Sequence, residues 1–154
     1  MKETNNKNFT SSGMSLIVKT VTRWTVLFIM LYGWYITLFG HLSPGGGFAG
    51  GVIVALSFIH IILAYGKDFV VKKINKILSE SLETTGALMF LSISIMGFSV
   101  GVFFKDFLGQ GKAFSLLSGG MILPANIAIM IKVGFGMLSA FLCLILFSPQ
   151  DEEK

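Results

Sequence analysis

Charge is scarce in this chain. Asp, Glu, Lys and Arg make up only 13% of its 154 residues, against about 25% in a soluble domain. There is one cysteine, Cys143, which excludes an internal disulfide and a cysteine-based metal site. No Ser–His–Asp, Cys–His or metal-ligand constellation is visible around the two histidines. The chain therefore has no catalytic site of its own, and nothing in it calls for a metal or another cofactor. No cleavable signal peptide is visible: residues 1–13 are polar, and the first apolar run is too long and lacks a small-residue cleavage site. Met14 stands as an alternative start. No internal repeat or second domain is evident.

What the chain has in quantity is apolar surface. It is 53% hydrophobic, with 15 Phe and 18 Gly, and its mean hydropathy is +0.78. Four apolar stretches stand out, at 15–39, 48–65, 85–104 and 126–147. Each fits the roughly 20 residues with which a helix crosses a bilayer core, and none alternates as a barrel strand would. The expected fold is an all-α integral membrane protein of about four transmembrane helices. A polar tail at 1–14, a membrane domain at 15–148 and a solvated end at 149–154 complete the layout. Lys and Arg number nine at the N-terminal flank, the second connection and the C-terminus, against two at the third connection. The positive-inside rule then places both termini in the cytoplasm. Because the lysines flank apolar segments, the net charge of +4 follows from topology and does not point to nucleic acid. Val70, Val71, Ile74, Ile77 and Leu78 recur at helical spacing with Lys72, Lys73 and Lys76 between them. That segment lies on the membrane surface, docks a neighbouring subunit or extends the second span.

The most unusual segment joins the first two spans: Gly40-His41-Leu42-Ser43-Pro44-Gly45-Gly46-Gly47-Phe48-Ala49-Gly50-Gly51. Pro44 stops a helix, and the glycines permit positive φ. So tight a turn forces two antiparallel helices together. Gly47, Gly51 and Ala55 then continue at four-residue spacing as a small-residue face. No GK[ST] follows and no strand precedes, so the glycines read as helix packing and not as a phosphate cradle. The fourth span has two faces. Ala125, Ala128, Lys132, Gly136, Ser139 and Cys143 form a small face expected to meet protein. Ile131, Phe135, Leu138, Leu142 and Ile145 form a large one that meets lipid or a bulky neighbour. Gly97 and Gly101 repeat the theme on the third span, and Pro124 marks the start of the fourth.

The first stretch carries Lys19 and Arg23 in its first turns, and the fourth contains one charge, Lys132, placed six residues, roughly 9 Å, from its start. Glu83 and Asp106 fall just outside the third span as drawn, so no carboxylate is expected within the membrane. A charged partner for Lys132 then comes from another chain, and this chain alone forms no cation site. Lys132 reads as a group lining an ion path, as a snorkelling lysine or as half of a structural ion pair. His60, within the second span, and His41, beside the glycine turn, are packing or hydrogen-bonding groups, with a proton-relay role open to each. The ion-path candidates are thus Lys132, His60 and His41. The helix-packing set is Gly40, His41, Pro44, Gly45, Gly46, Gly47, Phe48, Gly50, Gly51 and Ala55. Trp24, Trp34 and Tyr35 suit the membrane interface or packing.

The glycine segment resembles the signature of the MnhB family, one of the subunit types that build the Mrp-type (Mnh) multisubunit sodium/proton antiporters. That signature is Gly-His, two residues, Pro-Gly-Gly-Gly-Phe, one residue, Gly-Gly. The four-span layout, the length and Lys132-Val133-Gly134 are similar too, over roughly residues 15–148. The resemblance implies a small helical subunit of the plasma membrane, set in lipid among other membrane subunits of an assembly that couples sodium and proton movement. The same subunit type occurs in Mrp-like modules of membrane-bound hydrogenases and related respiratory complexes, where redox subunits drive the pumping. Two departures keep that second place open: Leu-Ser-Pro where many antiporters have Asn-Ala-Pro, and basic Lys132 where antiporter members often carry an acid.

Overall fold

The computed structural model describes residues 14–66, 76–103 and 116–147. Residues 1–13 of the tail expected at 1–14, the tail expected at 149–154 and most of the basic amphipathic segment lie outside the described residues. Four α-helices make up the rest: α1 Leu16–Leu38, α2 Gly46–Tyr65, α3 Lys76–Met96 and α4 Ile122–Phe147. All four are long and apolar enough to cross a membrane. No strand occurs among the described residues.

The helices form a layer in the order α1, α2, α4, α3, with α2 and α4 at its centre. This order follows from where the small residues fall. In lipid no hydrophobic force drives helices together, so association depends on close backbone packing. Gly33 and Gly50 bring α1 and α2 together: a Cβ on Gly50 would overlap the Thr37 hydroxyl, and one on Gly33 would stand 2.9 Å from Val54 Cγ2. Thr37 is fully buried there and donates to the Gly33 carbonyl at 2.9 Å. Gly51 packs on the Met130 carbonyl and Val133 of α4, and Ala55 is buried beside them on the same helix. Gly86 of α3 takes the backbone of Lys132 and the Ala128 carbonyl of α4. Near the far end of α2, Ile62 closes a small core with Leu138 and Leu142, against Phe58 and Phe135. Those leucines of the large face thus meet a bulky neighbour.

The third helix departs from expectation. It starts at Lys76, nine residues before the expected 85, and gives way at Gly97 to a 3-10 turn ending at Val100. Its first half contains Ser79, Glu80, Ser81, Glu83, Thr84 and Thr85, a density of polar groups that reads as a connection. The hydroxyls conceal themselves: Thr84 donates to the Glu80 carbonyl at 2.9 Å, Thr85 to Ser81 at 2.7 Å, Ser92 to Leu88 at 2.8 Å and Ser94 to Phe90 at 2.9 Å. A polar sequence can thereby cross lipid without exposing unsatisfied groups. One consequence is that Glu83 lies inside the span and not before it. Another is that Gly97 and Gly101 fall beyond the α-helix, so Gly86 supplies its close contact instead. A Cβ on Gly101 would meet nothing within 4 Å.

Candidate functional site

Polar side chains gather at three places. The first is the end of the layer where α1 turns into α2. Seven residues, 39–45, separate the two helices. The Phe39 carbonyl accepts the N–H of Leu42 and of Ser43, both at 2.9 Å, and the Ser43 hydroxyl at 3.1 Å. Gly45 and Gly46 then take φ of 139° and 64°, which lets the chain reverse into α2 without a Cβ clash. The turn closes around Asn126 in the first turns of α4. Cβ atoms on Gly40 and Gly46 would lie 2.7 and 3.4 Å from its amide, and one on Gly47 would overlap its backbone. The Asn126 Nδ2 is buried with no hydrogen-bond partner among the described residues. The His41 ring is half-buried and stacks on Gly119, whose Cβ would stand 2.9 Å from its Cγ. Gly119 ends the 3-10 turn Leu116–Gly119 that leads into α4. Pro44, Gly45 and Phe48 of the packing set are less enclosed than the rest, with Phe48 exposed at 65%.

The second place is the contact between α3 and α4. Helix α4 begins at Ile122, four residues earlier than expected, with Pro124 in its first turn, where no intrahelical N–H is lost. Lys132 is therefore ten residues, about 15 Å, into the helix, close to its middle. Its side chain is exposed on the chain, and the small face that carries it divides: Ala125, Ala128 and Ser139 are buried, and Gly136 and Cys143 are half-buried. Within this chain the Lys132 side chain is uncovered, because α3 packs on its backbone at Gly86 and leaves the side chain outside. Glu83 of α3 is half-buried, and its carboxylate lies against Gly136, where a Cβ would stand 3.1 Å from Oε1. It is six residues beyond Ile77, about 9 Å into the span. Ser79, one turn earlier, donates to the Phe135 carbonyl at 3.3 Å. Among the described residues no ion pair joins Glu83 to Lys132. The reason lies in the antiparallel packing. Helical side chains lean toward their own N-terminus, so Glu83 leans toward the end holding the chain termini and Lys132 toward the glycine turn.

The third place is near the far end of α2. His60 is exposed and lines an open cavity of about 180 Å³ with Met14, Val18, Thr22, Leu63 and Ala64. The Met14 N–H donates to the Ala64 carbonyl at 3.1 Å, and Lys19 Nζ sits 5.7 Å above the Tyr65 ring. The three ion-path candidates are not brought together. His41 is at the turn, Lys132 at mid-span beside α3, and His60 beside α1. No group of three or more His, Cys, Asp or Glu that could hold a metal occurs among the described residues. Sequence reasoning missed Asn126 and Glu83. An Asn two residues after Pro124 in an apolar run was the available signal for the first. The second was obscured by the hydroxyl-rich start of α3.

Four apolar helices packed through glycine seams, with ionisable groups within them, define a multi-pass membrane protein. Comparison with known proteins gives the family. Residues 17–139 match the domain related to the MnhB subunit of Na+/H+ antiporter, and the chain belongs to this family. A putative antiporter subunit mnhB2 of Staphylococcus epidermidis is 37% identical over 99 residues, 64% of this chain and 67% of that protein. An uncharacterized protein of Methanocaldococcus jannaschii is 32% identical over 123 residues, 75% of this chain and 46% of that protein. Among solved structures, a chain of the membrane-bound sulfane sulfur reductase (MBS), an archaeal respiratory membrane complex, superposes with a TM-score of 0.71 at 28% identity. The match covers 94% of this chain and 63% of that one. The chain thus spans less than half of the methanogen protein and somewhat under two thirds of the respiratory one.

Proposed function

We propose that this chain is a subunit of an Mrp-type complex coupling sodium and proton translocation, in which it packs against other membrane subunits and lines part of an ion path. The observation that carries this reading is Lys132, exposed at mid-span on α4. A charge at the bilayer centre costs about 2.5–3.5 kcal/mol on insertion scales, so in the assembled state a neighbouring subunit or a water-filled path covers this face. His41 and His60 are secondary candidates on other parts of the same layer. The outer faces of α1 and α3, with Trp24, Leu27, Phe28, Leu88 and Ile95 exposed, suit lipid or further subunits. Deleting the chain should abolish sodium-dependent proton movement in everted membrane vesicles, and re-expression should restore it. Sodium-dependent movement that survives deletion would remove the chain from the coupling machinery.

A second reading rests on the likeness to a chain of the respiratory complex: the same subunit in the ion-pumping arm of a redox-driven assembly, with redox subunits as partners. Vesicles that pump only when supplied with an electron donor would favour it.

Both termini are assigned to the cytoplasm on the nine-to-two distribution of Lys and Arg, and the plasma membrane follows from the antiporter-subunit reading. A fluorescent protein fused to the C-terminus should therefore mature and fluoresce, while an alkaline phosphatase fused there should stay inactive. The reverse pattern would invert the topology.

A further inference from the structure

The α3–α4 contact holds a carboxylate that the ion-path reading does not use. Glu80 and Glu83 are the two carboxylates among the described residues. Glu80 is exposed near the start of α3, whereas Glu83 is half-buried one turn deeper. Its position is built by the neighbouring helix. Gly136 removes the side chain that would otherwise fill the space, and the carboxylate lies across the backbone of α4 there. Ser79 ties α3 to α4 on one side of it, and Gly86 seats α3 on the Lys132 backbone on the other. Glu83 thus sits half-buried in a slot between α3 and α4, against Gly136. A carboxylate in such surroundings is held in place chiefly where it has a task, because ionisable groups within spans are costly and mark ion or proton pathways.

We propose that Glu83, seated against Gly136 in the groove between α3 and α4, is a proton-exchanging group of this subunit, which takes up and releases a proton on the side of the chain termini. The proton adds to a carboxylate oxygen and leaves from it, with no other bond changed. The titratable groups that α4 carries on either side of Gly136 are Lys132, one turn before it and with its side chain exposed, and Cys143, two turns after it. On α3 itself the group is Glu80, outside the slot. Lys132 leans the opposite way, and no ion pair joins it to Glu83 among the described residues. This inference deepens the ion-path reading and rests on it for the direction of coupling, but not for the chemistry of the slot.

The test uses native membranes containing the whole complex. A hydrophobic carbodiimide reacts with a protonated carboxyl group in the membrane and leaves a stable acylurea, which mass spectrometry locates on the peptide. Glu83 should be labelled, and less so as the pH is raised, and Glu83→Gln should remove the label at position 83 whether or not Glu80 on the same peptide carries one. In vesicles at equal complex content, Glu83→Gln should lower proton-coupled sodium movement to near that of membranes lacking the complex. Glu83→Asp should retain part of it, with a displaced pH profile that a merely structural role would not give. An unlabelled Glu83, labelling that does not change with pH, or normal coupled transport in Glu83→Gln would each overturn the proposal. Protection from labelling by added sodium, with choline as the ionic control, would overturn it in favour of a sodium site. Wild-type vesicles that move no sodium would sink the antiporter reading alone, because the labelling profile does not depend on it.

Discussion

Gly47→Leu is expected to lower recovery of the assembled complex by about tenfold or more. The position lies on the seam between the two central helices. A Cβ there would overlap the Asn126 carbonyl oxygen and come within 2.9 Å of its Cα. Both obstacles are backbone, which cannot rotate away as a side chain can. The helices would have to part, and parting forfeits the contacts that follow along the seam, from Gly51 on Met130 and Val133 to Gly134 on the Gly51 carbonyl. Overpacking a core by extra methylenes costs about 1–3 kcal/mol where side chains absorb it, and about 1.4 kcal/mol already corresponds to a factor of ten. Gly46→Leu should be damaging by a different route, because φ is 64° there and the left-handed region costs an L-residue about 1–2 kcal/mol. Complex yield per milligram of membrane, measured beside Gly47→Ala as a graded change, checks this. Normal yield from Gly47→Leu would mean that the α2–α4 seam is looser than described.

Lys132→Ala should have the second-largest effect, and on transport instead of assembly. The side chain is exposed on this chain, so its loss opens no internal cavity, and the seat of α3 at Gly86 involves the Lys132 backbone, which the substitution keeps. A structural ion pair with a neighbour would give the opposite pattern, because removing one partner of a buried pair strands the other charge at a cost of about 3–5 kcal/mol. Sodium-dependent transport per complex should fall roughly threefold to tenfold, equivalent to about 0.6–1.4 kcal/mol on the limiting step. Lys132→Arg should keep much of the activity. Unchanged transport at normal subunit levels would reduce Lys132 to a snorkelling residue.

How far the sequence reveals this fold depends on what each residue hides or displays. Three spans were legible within four residues because their runs are predominantly apolar. The glycine segment announced a tight connection because Pro44 and three successive glycines have few other uses. The third span was misplaced because Ser and Thr look polar in a list of letters yet satisfy themselves on the preceding turn. The same shift hid Glu83, the deeper of the two carboxylates among the described residues. Asn126 was missed for another reason. Its role appears only when the turn from α1 to α2 folds over the start of α4, a long-range contact that no local pattern encodes. The division of the small face of α4 was illegible too, since spacing places Lys132 and Ala128 on one side but does not say how far α3 reaches across it.

The central claim is that this chain works as one member of a membrane assembly. The most direct measurement is to purify the tagged full-length chain from native membranes in mild detergent and identify by mass spectrometry what comes with it. The account predicts several other multi-pass subunits in fixed proportion. Accompanying Fe–S or Ni–Fe proteins would place the assembly among redox-driven pumps, and a chain that emerges alone, folded and without partners, would contradict the account.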